Sequence, residues 1–184
     1  VYTLRLTLEE ERIETAISIL PNPAINSTIE DFTAQQKMLV TIENTLQDIH
    51  TFVNQMRSAK NQLTGYAKLL KNDKQMSSLL EKGAALTKRI NSWEENLIQA
   101  KQKTFQDVIN FNNKLNAQLI QLKSYVDQAN PKITSGAKER FTDLMNDWQV
   151  YVNERNAIIN KEMNAYNVLY KSLDIPALII DERK

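Results

Sequence analysis

The sequence predicts a mainly α protein, an antiparallel four-helix bundle preceded by an N-terminal β-hairpin. Three observations carry this. From Ala24 to Asn130 there is no proline and only Gly65 and Gly83 interrupt, which permits long helices. Apolar residues then recur at alternating steps of three and four, the seam spacing of left-handed bundles. The chain before Pro21 alternates with period two instead, the mark of strands.

The strands come first. Tyr2, Leu4, Leu6 and Leu8 alternate with Val1, Thr3, Arg5 and Thr7. After Glu9-Glu10-Glu11 the alternation resumes through Ile13, Thr15, Ile17 and Ile19, so a three-residue acidic turn joins two strands. Leu4, Leu6, Ile13, Ile17 and Ile19 give the pair an apolar face. A lone hairpin is marginal in water, so this one has to lie on the helices or pair with further strands. Pro21-Asn22-Pro23 ends the β signal and sets a boundary between a hairpin unit, 1–23, and a helical unit, 24–184.

Four helices follow. Ser27-Thr28-Ile29-Glu30 reads as a capping box opening the first, over about 28–70. Its seam is Leu39, Ile42, Leu46, Ile49, Val53, Met56, Leu63, Ala67 and Leu70, broken by Lys60 alone. Met76, Leu79, Gly83, Leu86, Ile90, Trp93, Leu97 and Ala100 place the second over about 75–100. The series blurs over 101–113, where Asn110, Asn112 and Asn113 cluster, so a loop is expected there; continuous helix is the alternative. Leu115, Leu119, Leu122 and Val126 place the third over about 112–129, ended by Asn130-Pro131. Thr134 or Ser135 caps the fourth, over about 135–173, with Phe141, Leu144, Met145, Trp148, Val152, Ile159, Met163, Tyr166, Leu169 and Leu173 on its apolar side.

Composition excludes several functions. The 184 residues, 42% of them apolar, supply one core. With no Cys there is no disulfide, thiolate zinc site, iron–sulfur cluster or thiol catalysis. The 23 basic and 22 acidic residues leave a net charge of +1, so nothing globally attracts nucleic acid or anionic membrane. No apolar run is long enough to span a bilayer. Asn and Gln together make an amide-rich surface. The chain opens on Val1-Tyr2-Thr3 in mid-strand character, and a piece of a longer protein is expected.

No chemical constellation rises above the solvated-face reading. His50 is the single histidine, beside Gln47 and with no Lys or Arg within four residues, which suits neither phosphotransfer nor a di-iron Glu-x-x-His site. Glu94 with Glu95, and Asp143 with Asp147, are carboxylate pairs at helical spacing without a pocket signal. Trp93, Trp148, Tyr151, Tyr166 and Tyr170 could stack sugars, but the two tryptophans sit in the seams, where packing explains them. Lys68, Lys71, Lys74, Lys82, Lys88 and Arg89 are interspersed with acids and read as a solvated face. There is no phosphate-binding glycine loop and no nucleophile elbow. Catalytic, cofactor-binding and metal residues are therefore all assigned as none, and no cofactor is expected.

The order of pieces resembles the C-terminal helical tail of bacterial sortilin-like β-propeller proteins with Asp-box (BNR) repeats, commonly labelled glycosyl hydrolases. The residues that carry the resemblance are Tyr2–Thr7, Leu20-Pro21-Asn22-Pro23, the stretch Gln106–Leu119, Thr134-Ser135-Gly136-Ala137 before Phe141, Asn167, and Ile175-Pro176. The linker usually reads Asp-Pro-Arg in that family; here it is Asn22-Pro23-Ala24. The resemblance implies an exported protein, periplasmic, secreted or at the cell surface, whose propeller lies upstream. No Ser-x-Asp-x-Gly-x-Thr-Trp box occurs in this chain, so no catalytic residue carries over onto it. The expected role is a non-catalytic structural or interaction module. Its partners would be the upstream domains, or a second copy through the hairpin or a helical face. A free-standing helical adaptor or signalling bundle is the alternative.

Overall fold

The computed structural model describes residues 1–176; the stretch 177–184, the end of the expected helical unit, lies outside the described residues. The hairpin is formed by β1 (Tyr2–Leu8) and β2 (Glu11–Ile17), antiparallel, with Leu6 opposite Ile13 and Arg5 opposite Glu14. That register puts Tyr2, Leu4, Leu6, Leu8, Ile13 and Ile17 on one face. The other face carries Thr3, Thr7, Arg12 and a cross-strand ion pair from the Arg5 guanidinium to the Glu14 carboxylate. The expected three-residue turn has two residues, because Leu8 already pairs with Glu11. Ile19, expected on the second strand, lies beyond its end. Glu9 takes φ 52°, the left-handed region that Asn or Gly fills with less strain. Glu9→Asn should therefore stabilise the hairpin by up to about 1 kcal/mol, read as slower amide exchange across β1 and β2.

Helix α1 (Ile29–Leu70) has 42 residues and so runs about 63 Å. Its capping box sits one residue later than expected. Thr28 is the extended residue, its hydroxyl accepting from the Asp31 N–H while the Asp31 carboxylate accepts from the Thr28 N–H. Glu30 stays in the first turn, where its own backbone N–H and then the Thr28 hydroxyl hold its carboxyl below the ordinary range. A short 3-10 turn (Lys74–Met76), capped by the Asp73 side chain, leads into α2 (Ser77–Leu97).

The chain then leaves the helix over 98–114, as the Asn cluster predicts, and makes one 3-10 turn (Phe105–Ile109). The backbone N–H groups of Lys103 and Thr104 bond the Asp107 carboxylate and lower its pKa. Helix α3 (Leu115–Val126) is shorter at both ends than its pattern suggests. Thr134 caps α4 (Ser135–Ala157), which continues through a π-helical segment (Ile158–Met163) into α5 (Asn164–Ser172). The expected fourth helix is thus one rod with a π segment inside it.

The four helices do not stand side by side. Arg57 and Lys60 of α1 meet Glu94 of α2, whereas Glu43 and Gln35, further back along α1, meet Lys123 and the Val126 carbonyl of α3. Helices α2 and α3 therefore succeed each other along one flank of α1, both antiparallel to it. The α4–α5 rod fills the other flank, parallel to α1: Thr45 meets Met145, Phe52 stacks on Trp148, and Tyr66 lies against Tyr170. Each cross-section holds three helices, not four. The reason is length: α2 and α3 are each too short to line a 63 Å helix, so the two in tandem cover one flank while the continuous α4–α5 rod covers the other. One continuous core results, centred on fully buried Ile42, Ile49, Leu79, Ile90, Trp93, Leu97, Leu119, Leu144 and Ile158.

Candidate functional site

The residues weighed for chemistry stay apart. His50 is exposed on α1, and Gln47 with it. Glu95, Asp143 and Asp147 are exposed, and the lysines around the first helix connection face solvent. Trp93 is completely buried, its indole N–H donating to the Tyr151 carbonyl at 2.8 Å. Trp148 stacks on Phe52, whose other neighbour is the Arg155 guanidinium, 3.9 Å from the ring centroid. Burial lowers the Arg155 pKa and raises that of Tyr166. Of the five aromatics considered as a sugar platform, only Tyr151 edges a polar cleft. Among the described residues no group of His, Asp and Glu could hold a metal ion, and no helix is long and apolar enough to cross a membrane.

One polar cluster was only half legible in the sequence. Glu94, 7% exposed, accepts from Arg57 Nε at 2.8 Å and lies 3.4 Å from Lys60 Nζ, which also donates to Asn91. This explains the Lys60 break in the seam, because the ammonium reaches a buried carboxylate across the α1–α2 contact. Glu94 is the residue that sequence reasoning missed. Beside Glu95 it reads as one of a solvated pair, and the lone cation at a seam position, Lys60, is the signal that a buried anion faces it. Of the cluster only Asn91 edges a cleft, and the Arg57–Glu94–Lys60 group acts as a register pin between two helices.

Two kinds of surface are left over. Every residue from Val1 to Ala24 is exposed, and the apolar side of the hairpin is bare: Leu4 is 57% exposed, Leu6 65% and Ile13 66%. Of the two arrangements expected for it, the hairpin does not lie on the helices, and no other strand pairs with it among the described residues. The second kind is a set of shallow clefts. One of 470 Å³ lies at the α3–α4 connection beside Tyr125, Ile133 and Arg140. Clefts of 370 and 300 Å³ flank Tyr166 between α1, α2 and α5. One of 280 Å³ opens where α2 and α3 part.

No protein-family model, curated protein or solved structure matches this chain.

Proposed function

We propose that this chain is a non-catalytic structural and interaction module of an exported, propeller-containing protein of the sortilin-like type, its hairpin completing a β-sheet supplied by the preceding part of the same polypeptide. The observation that carries the proposal is the bare apolar face of the hairpin beside an ion-paired back. A sheet with one apolar and one charged face belongs in a layered β structure, covered on the apolar side.

Size argues for a tethered cover. Two seven-residue strands present a footprint of about 24 by 10 Å, roughly 240 Å², far below the ~800 Å² per partner of a stable free interface. A sheet joined covalently to Val1 avoids most of the association cost that so small a face cannot meet. Two copies meeting through this face alone would bind only weakly by the same measure.

Two measurements test the reading. Deleting residues 1–23 removes Arg5, Glu9, Glu10, Glu11, Arg12 and Glu14, a net charge of −2, and takes the chain from +1 to +3. Helical circular dichroism and the unfolding midpoint should be unchanged, since none of these residues is buried. Amides of β1 and β2 should exchange quickly in this chain and slowly once it is joined to the rest of its reading frame. A reading frame without upstream Asp-box repeats, with the hairpin amides still unprotected, favours the free-standing adaptor. Loss of the cooperative transition on truncation places the hairpin in the bundle core.

A further inference from the structure

We propose that the cleft where α2 and α3 part is a binding site for a small, neutral, polyhydroxylated ligand, a single sugar unit or the end of a saccharide. The site stands on the bundle and is independent of what covers the hairpin. Three elements build it: Asn96 near the end of α2, Asn112 and Asn113 from the connecting loop, and Asp147 with Tyr151 on α4, around the 280 Å³ space.

The arrangement is held from behind. Gln99 Nε2 donates to the Asn112 carbonyl at 3.2 Å, and Gln118 Nε2 donates to the Asn113 carbonyl at 2.8 Å. Gln118 is fixed in turn by a bond from Arg140 to its amide oxygen. These bonds run to main-chain carbonyls, so the two asparagine side chains are not what anchors the loop. The wall is equally fixed, because the Tyr151 carbonyl accepts from buried Trp93, and Leu115 beneath it is 3% exposed. The seventeen-residue excursion (98–114) between two helices that share one flank is longer than most connections in compact domains, even with its one 3-10 turn.

The chemistry selects the ligand class. Apart from Leu115 every residue around the cleft is polar or aromatic, so it offers no apolar anchor for a peptide side chain. One carboxylate, Asp147, is balanced by one ammonium, Lys114, which leaves no net field for an anion or a cation. Carboxamides present donor and acceptor side by side, and each hydroxyl of a sugar is itself both, so adjacent hydroxyls match adjacent amides. At 280 Å³ the space lies just under the usual range of ligand sites, which suits one ring with the remainder in solvent.

The test is a titration of the whole chain, followed by amide and side-chain nitrogen–proton spectra, with glucose, galactose, mannose and N-acetylglucosamine up to about 50 mM, a range suited to millimolar affinities. At least one sugar should give saturable shifts centred on Asn112, Asn113 and Tyr151. Asn113→Ala and Tyr151→Phe should each weaken it about three- to tenfold, the loss expected of one hydrogen bond. Their unfolding midpoints should not move, and Lys132→Ala at the α3–α4 cleft should bind as the parent does. No saturable shift with any of the four sugars, shifts scattered over the bundle, or a tighter response to an asparagine-rich peptide would each overturn the proposal.

Discussion

Trp93→Ala should destabilise the bundle by about 3–5 kcal/mol, the range for truncating a buried aromatic. Trp93 has no exposed surface, and its N–H is satisfied by a carbonyl on the facing rod, so the substitution both empties the core and breaks a link between α2 and α4. For a chain of this length that corresponds to a fall of roughly 6–20 °C in Tm. Trp148→Ala is the control. Trp148 is half-buried and loses a stack with Phe52 at 5.6 Å, without a buried hydrogen bond, so its cost should be clearly smaller. Urea unfolding of both variants, with unchanged slope, decides the matter. Equal losses would mean that the centre of the core lies elsewhere along the rods.

What the sequence revealed of this fold follows from what periodicity can encode. Steps of three and four locate each helix and its buried side, and Ile42, Ile49, Ile90, Trp93 and Leu119 are all at the centre of the core. Alternation locates the strands, and the register found is the one that collects their apolar residues on a single face. Periodicity says nothing about which helices share a flank. Length does: a first helix near 42 residues cannot be lined by one partner of 21, so the second and third had to lie in tandem. The polar cleft was legible only as fragments. Asn112 and Asn113 mark a loop, Asp147 a carboxylate pair and Tyr151 an aromatic, and folding alone joins the loop residues to α4 residues 34 or more further along the chain. Charge gives a hint at Lys60 but not its partner: Glu94, four after Ile90 and three before Leu97, lies at the margin of the apolar face, where sequence alone does not separate it from exposed Glu95.

The π segment gives the sharpest test of the seam. Leu144, Tyr151 and Ile158 follow each other at steps of seven, and so do Phe141, Trp148 and Arg155. The next core positions are Tyr166 and Met163, in each case eight residues on, after which Leu173 and Tyr170 resume the seven-residue step. A bundle with a seven-residue repeat has no place for that extra residue, and the wider π turn over Ile158–Met163 absorbs it without turning α5 out of the core. Deleting exposed Asn160 should therefore convert the segment to ordinary α-helix and keep both seams aligned. The expected change in stability is within about 1 kcal/mol, well inside the range of single substitutions. Deleting Asn146, equally exposed but upstream of the π segment, has no such outlet. It rotates everything beyond it by about 100°, taking Trp148, Tyr151, Arg155 and Ile158 off the facing helices. That variant should lose its cooperative unfolding transition, read by circular dichroism against temperature. If the two deletions behave alike, the eight-residue step is not what the π segment accommodates.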